Sequence, residues 1–282
     1  MIENRTFLLL LLMSFVGFSQ TKGVIKDSIT GQPIPYVSVW VENETIGTTA
    51  EFNGEFVINT NDKNKNLVFS ALGYQTKIIS LKNINTVTLS PKSIELNEVI
   101  IGKRKGTNEI VVGDFSGINL NSGVSNAGQE NVHIWAKIIR FNDKIKEHPY
   151  IKSIEFVTRS ELKNSLLRIR IFNIDKQEIP IGDAIDDNIL VKVKKGTNPN
   201  KVDLSGYNIK IPEEGVLIGF EYLKLEQNKI VYQGNIRYAP SILGFFPGGN
   251  TLIKLSQDGV VFPNITGKYG NVEIALKIKL SN

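Results

Sequence analysis

The sequence contains no cysteine among its 282 residues. This absence excludes disulfide bonds, which stabilise many exported proteins, and it excludes cysteine nucleophiles. A cysteine-linked lipid anchor behind the N-terminal apolar run is equally impossible. The fold must therefore be stabilised by its hydrophobic core, and the chain is long enough to bury one in each of roughly two domains.

Histidine is almost absent, with only His133 and His148 in the chain. A zinc peptidase site needs two histidines and a glutamate, with the first pair spaced as His-x-x-Glu. Ala136 and Ile151 occupy the positions three residues after the histidines, so this class of enzyme is excluded. The sequence also lacks a Gly-x-Ser-x-Gly elbow and a phosphate-binding loop, and we interpret Ser70 as a turn hydroxyl.

Long apolar runs are missing after the first residues of the chain. Arg5 precedes an apolar run of about ten residues, which is too short to cross a bilayer, and small residues follow at Gly17 and Ser19. We interpret residues 1–19 as a cleaved secretory signal peptide. We expect an exported protein that begins near Gln20 and has no integral membrane segment after cleavage.

Charge is scattered rather than clustered along the sequence. The net charge is +5, and the lysines alternate with apolar residues in segments such as VKVKKG and LKIKL. Aromatic residues do not interleave with the basic ones, as a stacking platform for nucleic acid would require. We interpret the lysines as solvated strand faces and expect no nucleic-acid partner.

Helical periodicity is nearly absent, whereas short alternating segments separated by turn residues recur along the whole chain. In the segment YVSVWV, Val37, Val39 and Val41 share one predicted face and Tyr36, Ser38 and Trp40 share the other. Further along, Asn53-Gly54 between apolar partners predicts a β-hairpin. The pattern is typical of a small β-sandwich.

Several spaced motifs in residues 20–101 resemble the carboxypeptidase regulatory-like domain, a transthyretin-like β-sandwich of exported Bacteroidetes-type proteins. The matching motifs are Gly23-x-Ile25, Asp27, Thr30-Gly31-x-Pro33-Ile34, Val37-x-Val39, Thr48, Asn53-Gly54-x-Phe56, Leu67-x-Phe69-Ser70-x-x-Gly73-Tyr74, Val87-x-Leu89 and Leu96-x-Glu98-Val99. The resemblance implies a folding module without a reactive group. Such domains often accompany outer-membrane transporters, which suggests an accessory role in TonB-dependent uptake as one alternative.

The remainder of the chain predicts a second β-rich domain after a connection rich in Gly, Ser and Asn. Its clearest strand is LLRIRIFNID, in which Leu167, Ile169 and Ile171 face one way and Arg168 and Arg170 the other. Turn signals about every ten residues favour a sandwich or jelly roll. This domain loosely resembles jelly-roll carbohydrate-binding modules, and no binding residue is transferred on that basis.

Carboxylates offer the remaining route to chemistry. They are Asp183, Asp186 and Asp187 in one loop, with Glu213, Glu214 and Glu221 further on. The loop from Asp183 to Asn188 could supply oxygen ligands to Ca²⁺, although its spacing is not that of a calcium loop. Two facing acids could also cleave a glycosidic bond, but nothing in the sequence forces a pair together.

Aromatic residues are the other candidates, because exposed rings stack on sugars. They are Trp40, Tyr207, Tyr222, Tyr232, Tyr238, Phe245 and Phe246. We expect Trp40 to fill a core or an edge and Trp135 to be a core residue. The segment SILGFFPGG reads as a loop that is either tucked under the domain or available to a partner.

Together these observations predict an all-β protein of two β-sandwich domains without enzymatic activity. The predicted parts are a signal peptide at 1–19, a carboxypeptidase regulatory-like sandwich at 20–101, a linker at 102–128 and a second, jelly-roll-like sandwich at 129–282. We assign no catalytic residue, no cofactor and no metal. We predict a periplasmic or cell-surface protein of the bacterial envelope that binds a protein partner or a carbohydrate; the alternatives are a glycan-acting hydrolase and the uptake accessory.

Overall fold

The structure, a computed structural model, describes residues 20–60, 62, 64–92, 108–127, 133–249, 251–257 and 272–282. The predicted signal peptide at 1–19 lies outside these residues, as do the predicted boundaries near 101 and 128. Among the residues described, no helix has the length and apolar character needed to span a membrane. Residues 20–92 are called the first region below, and residues 108–282 the second region.

The first region consists of seven strands and a short 3-10 helix at Leu81–Asn83. Its strands are β1 (Gln20–Asp27), β2 (Ser38–Val41), β3 (Gly47–Thr49), β4 (Glu55–Asn59), β5 (Asn66–Ser70), β6 (Lys77–Ser80) and β7 (Thr86–Leu89). They form two sheets, with strand orders β4-β1-β7 and β3-β2-β5-β6. Only the β1–β7 pair is parallel; the other pairs are antiparallel.

The two sheets of the first region enclose an apolar core. The alternation of β2 places Val39 and Val41 in this core, where they meet Phe69 of β5. Phe56 of β4 packs edge-on against Phe69, with ring centroids 5.4 Å apart. The valine face predicted from the sequence is thus the core face, and the residues between the valines lie on the opposite face of the sheet.

The predicted hairpin at Asn53-Gly54 is wrong in one respect. A tight turn forms there, because Gly54 adopts a φ of 77° and its N–H donates to the carbonyl of Glu51. However, β3 and β4 belong to different sheets. The turn therefore carries the chain from one layer of the sandwich to the other.

The second region contains fourteen described strands in two larger sheets. They are β8 (Glu109–Val112), β9 (Ser122–Ala127), β10 (Ile134–Ile139), β11 (Tyr150–Ser160), β12 (Ser165–Ile174), β13 (Pro180–Asp183), β14 (Ile189–Val193), β15 (Gly196–Asp203), β16 (Val216–Tyr222), β17 (Lys229–Tyr232), β18 (Asn235–Phe245), β19 (Leu252–Leu255), β20 (Glu273–Ile274) and β21 (Leu276–Ser281). Helix α1 (Asp143–Glu147) and 3-10 turns at Ser205–Tyr207 and Glu226–Asn228 connect them.

One sheet has the order β13-β12-β16-β10-β19, with β14 also paired to β12. The other has the order β17-β18-β11-β21-β8, and β15, β9 and β20 pair with its inner strands. Their facing sides share a core in which Phe156 of β11 meets Phe220 of β16 at 5.0 Å between ring centroids. The predicted all-β, sandwich-type fold class is confirmed.

The alternation predicted for β12 is also confirmed. Leu167, Ile169 and Ile171 lie in the core, while Arg168 and Arg170 point to the other face of the sheet. That face is not simply solvated. Arg168 is almost fully buried, since it meets the first region.

Within the predicted linker at 102–128, the structure differs from the sequence interpretation. Residues 109–112 pair with β21 as strand β8, and residues 122–127 pair with β18 as strand β9. The small residues that suggested a linker serve close backbone approach instead. A Cβ on Gly123 would lie 2.5 Å from the carbonyl oxygen of Ile242.

The segment SILGFFPGG is likewise more regular than the predicted loop. Ser241 to Phe245 continue strand β18, where Ile242 and Leu243 are buried. The consecutive apolar residues fit a strand because this strand is covered on both sides. Phe246 and Pro247, which follow the strand, are exposed.

Candidate functional site

The two regions meet on the outer face of the first region's four-stranded sheet. Ser38 and Trp40 of β2 occupy this face and are both buried, and Trp40 packs on Val68 of β5. The sequence left open whether Trp40 covers a second face or is exposed. The structure places it at the junction between the regions, in a small cluster separate from the main core.

Glu221 of β16 is the centre of the polar contacts at this junction. Its side chain is fully buried and accepts hydrogen bonds from Ser38 Oγ at 2.7 Å and Arg168 Nη1 at 3.1 Å. Arg170 lies 3.9 Å from its other oxygen. Arg168 also donates to the backbone carbonyl of Tyr36, a residue with a φ of 60°.

Burial alone would keep Glu221 protonated, because desolvation disfavours a charged carboxylate. The positive charges of Arg168 and Arg170, with the hydrogen bond from Ser38, outweigh that cost and lower the pKa of Glu221 below its ordinary value. The buried carboxylate is therefore ionised and neutralised by its neighbours. It joins the two regions, and it is not a proton donor in the neutral pH range.

A second polar contact joins the regions further along. Lys224 is nearly buried, and its Nζ donates to the backbone carbonyl of Gly47 at 2.8 Å. Its own N–H donates to Thr49 Oγ1 at 3.1 Å, and the N–H of Glu226 donates to Glu51 at 2.8 Å. Buried hydrogen bonds of this kind fix the relative orientation of the groups that share them.

A concave site of about 350 Å³, here called the junction groove, lies beside these contacts. The residues used below to describe it are Trp40, Tyr74, Arg168, Arg170, Asp183 and Gln257. The groove is thus lined by both regions. Its volume lies at the lower end of the range typical of small-molecule sites.

Most charges of the groove are paired with one another; Glu42, which also lines it, accepts a hydrogen bond from Asn66 instead. Arg170 forms a bidentate pair with Asp183 at 2.8 Å and 2.5 Å, and Lys92 contacts Asp186 at 2.9 Å. Asn188 accepts a hydrogen bond from Arg168. The loop considered as a calcium site therefore directs its oxygens at cationic side chains, and in the described part of the chain no group of three potential ligands is placed to hold a metal.

Gln257 is the exception to this pairing. Its side chain is 3 % exposed and lines the groove, and within the described part of the chain neither its amide nitrogen nor its amide oxygen has a hydrogen-bond partner. Leaving a buried donor and acceptor unsatisfied costs free energy. An unsatisfied amide that lines a concave site points to a polar ligand that would supply both partners.

The other predicted candidates are distributed differently. Tyr222 is fully buried and donates to the carbonyl of Val124, whereas Tyr207, Tyr232 and Phe246 are exposed on separate turns. Tyr238 and Phe245 are partly buried, and Asp187, Glu213 and Glu214 are exposed.

His133 is buried against Trp135 and Tyr222, and His148 follows helix α1. The structure does not bring these residues together.

The pKa shifts of the carboxyl groups argue against the hydrolase alternative. Among the described residues, every carboxyl group whose pKa clearly departs from its ordinary value has a lowered pKa. These groups belong to Asp27, Glu109, Asp114, Glu155, Glu221 and Glu273. A glycosidase acid needs a pKa raised toward neutrality. Glu221, the fully buried acid beside the groove, has a lowered pKa instead.

Sequence analysis missed Ser38, Lys224 and Gln257 as site residues. The signal for Ser38 was available, because it is a hydroxyl in an otherwise apolar strand, and the alternation of Arg168 and Arg170 marked a charged face. Nothing near Gln257 in the sequence distinguishes it from a surface glutamine. Its position depends on contacts between strands far apart in the chain.

Comparison with known families assigns the first part of the chain. Residues 21–101 match the CarboxypepD_reg-like domain family, and the resemblance predicted for this part of the chain is confirmed. A TonB-dependent receptor of Formosa agariphila is 33% identical over 106 residues, which are 36% of this chain and 10% of the receptor. The chain thus spans about a tenth of the length of that relative.

Two solved structures illustrate the wider similarity. The cysteine protease and lectin-like domains of Cwp84, a surface layer associated protein of Clostridium difficile, align with 84% of this chain and 45% of theirs, at 12% identity and a TM-score of 0.42. A DUF3823 family protein from Bacteroides ovatus aligns with 80% of this chain and 98% of its own, at 10% identity and a TM-score of 0.20. Scores of this size carry no argument about this chain.

Proposed function

We propose that the protein is an exported, non-enzymatic binding protein of a bacterial cell envelope, and that the junction groove binds its ligand, a carbohydrate. The observation that carries the proposal is the buried amide of Gln257, which lines the groove and has no hydrogen-bond partner among the residues that the structure describes. A carbohydrate hydroxyl can both accept from and donate to such an amide. The family assignment of residues 21–101 supports a module without chemistry of its own.

The charge balance of the groove favours a neutral, hydroxyl-rich ligand. Arg170 and Asp183 neutralise each other, and Arg168 is matched by Glu221. A groove built this way presents fixed donors and acceptors without attracting a net charge. Its volume of about 350 Å³ suits a small saccharide rather than a protein segment of interface size.

Gln257→Leu tests the proposal. Leucine has a similar volume and removes both unsatisfied polar atoms, so we expect folding stability to be unchanged or higher, because no buried polar group remains unpaired. We expect binding to neutral oligosaccharides, followed by calorimetry after a glycan-array survey, to weaken at least tenfold. Gln177→Leu, on an exposed turn, is the matched control and should leave binding unchanged.

Two results would overturn this assignment. The first is the absence of any glycan bound by the wild-type protein on the array. The second is saccharide binding that is equally strong in Gln257→Leu and the wild type, which would place the site elsewhere. Recovery of a single envelope protein, with no glycan binding, would favour the protein-partner alternative.

A second candidate is an accessory role in a TonB-dependent uptake system. It is supported by the 33% identity to a TonB-dependent receptor over 106 residues. Cross-linking in envelope preparations, followed by mass spectrometry, tests it. Enrichment of an outer-membrane receptor on the wild-type protein, lost when residues 20–101 are replaced by an unrelated sandwich, would support this role; equal recovery from both proteins would contradict it.

A further inference from the structure

Two turns of the second region lie side by side in space. Strand pairing joins Ser160 to Gly196 on one side and Ser165 to Val193 on the other. The turn at 161–164 is therefore held against the turn at 194–195. These two turns connect β11 to β12 and β14 to β15, and each carries the chain from one sheet of the second region to the other.

Both turns carry exposed lysines. Lys163 belongs to the first, and Lys194 and Lys195 to the second. None of the three forms an ion pair with the residues that the structure describes. Their positive charges therefore remain uncompensated, in contrast to the paired charges of the junction groove.

A cleft of about 410 Å³ adjoins these turns. Arg159 lines it and is bonded only to the hydroxyl of Thr197 among the described contacts, while Arg237 lines it and pairs with Glu161. This cleft together with Lys163, Lys194 and Lys195 is called the basic cleft. The basic cleft and its two turns thus contain five cationic side chains and one carboxylate, that of Glu161, which is a large local excess for a chain of net charge +5.

The floor of the basic cleft is rich in hydrogen-bonding groups. The amide of Asn121 and the hydroxyls of Ser122, Ser125 and Ser241 belong to its lining. Hydroxyls on a concave surface suit a flexible chain that bears hydroxyls itself. The cations at the rim would hold acidic groups placed along such a chain.

We propose that the basic cleft binds an acidic polysaccharide, such as a uronic-acid polymer, at a site distinct from the junction groove. A polymer with regularly spaced carboxylates can contact the lysines of both turns while its hydroxyls reach the cleft floor. An anionic membrane is the less suitable partner, because its flat surface cannot enter a concave cleft to meet Arg159.

The test is binding of the full-length mature protein to immobilised polygalacturonate by interferometry, with the methyl-esterified polymer as the uncharged reference. We expect binding to polygalacturonate only, weakening as NaCl rises from about 50 mM to about 200 mM. The variant Lys163→Gln/Lys194→Gln/Lys195→Gln should lose at least about tenfold in affinity.

A matched triple variant is available beyond the opposite ends of β11 and β12. Lys144, Lys146 and Lys176 are also exposed, and Lys144→Gln/Lys146→Gln/Lys176→Gln makes the same change in net charge. We expect affinity within twofold of wild type for this variant. All these positions are on the surface, so thermal unfolding should show both triple variants folded.

Three outcomes would refute the proposal: equal binding to the esterified polymer, equal losses in the two triple variants, or no binding of polygalacturonate by the wild type. Binding to phosphatidylserine vesicles without binding to polygalacturonate would also refute it and would assign the cleft to a membrane surface.

Discussion

The first and second regions differ in what they bury. In the first region the core is apolar, and its buried polar residues, among those that the structure describes, are Asp27, Ser38, Thr49 and Thr60. Two of these, Ser38 and Thr49, are bonded to the second region. The second region buries charged groups outright, including Lys137, Arg168, Glu221 and Lys224.

The two regions therefore place different requirements on their buried residues. An apolar core requires only complementary shape, and the first region meets that requirement with strand alternation and turns. Buried charges are costly and persist only where partners satisfy them. The second region therefore contributes the buried charged groups of the junction, Arg168, Glu221 and Lys224, whereas the first region contributes most of the residues that line the groove. Substitutions of these buried charges test the comparison most directly.

The largest effect is expected for Glu221→Ala. The change leaves Arg168 buried without its carboxylate partner, and we expect a loss of about 3–5 kcal/mol in the free energy of unfolding. Urea denaturation followed by tryptophan fluorescence measures it, and Trp40 reports on the junction itself. A loss below about 1 kcal/mol would show that the buried charge is not a main determinant of stability.

A paired replacement sharpens this prediction. Arg168→Leu/Glu221→Leu removes both charges and fills the space with apolar groups, so we expect it to be much closer to wild type than Glu221→Ala alone. If the double variant is as unstable as the single one, then the pair specifies the junction by geometry and not by charge compensation.

A smaller effect is expected from His133 in acid. Burial and the positive charge of Lys254 lower the pKa of His133 to about 3, from the ordinary value of 6.5. The unfolded chain binds this proton more readily than the folded one, so the stability is complete above pH 6.5 and falls as the pH decreases toward 3. We expect a loss of about 2 kcal/mol by about pH 5.

His133→Phe should remove most of that acid dependence. Between about pH 6.5 and pH 5 the carboxyl groups with lowered pKa values are still ionised. The pH dependence of stability in this window therefore reports on His133 and not on those carboxyl groups. Denaturation midpoints at several pH values give the slopes. Identical slopes for the variant and the wild type would contradict the assignment.

A still smaller effect on the free energy of unfolding is expected for Lys224→Met, which keeps the length of the side chain and removes its hydrogen-bond donor. The carbonyl of Gly47 loses a charge-assisted hydrogen bond, and we expect about 1.5 kcal/mol of destabilisation. Lys229→Met serves as the control, since its pairing with Glu226 involves a largely exposed carboxylate. Equal losses of stability in the two variants would show that the buried hydrogen bond at the junction contributes no more than the exposed ion pair.

The smallest effect is expected for Lys92→Gln. This lysine and Asp186 also link the two regions, but both side chains are about half exposed, so the pair should contribute less than about 0.5 kcal/mol. Thermal unfolding at low and high salt measures it. A loss as large as that of Lys224→Met would mean that surface charge holds the regions together.

Much of the local structure could be predicted from the sequence. The faces of Val39 and Val41, the alternation along β12 and the burial of Trp135 follow from a two-residue period. The family motifs predicted the first domain, because turn glycines and core aromatics are local signals. These features depend on neighbouring residues in the chain.

Contacts between distant segments could not be predicted. Ser38 and Glu221 are 183 positions apart, and no local pattern indicates that they meet. Strand β9 (SGVSNA) lies in the predicted linker because glycine and serine are typical of both flexible segments and tightly packed strands, and β8 is a run of only four residues within the same stretch. The groove depends on such long-range pairings, so its chemistry became visible only in the structure.

The position of β21 has a consequence for how the protein is made. This strand lies between β11 and β8 in its sheet, and Ile278 is aligned with Ile154 on one side and Val112 on the other. During synthesis, the place between β8 and β11 therefore stays empty until β21 emerges. The first region can fold early, whereas the second must wait with an open sheet edge, which makes it the slower part to fold and the part more exposed to aggregation before it closes.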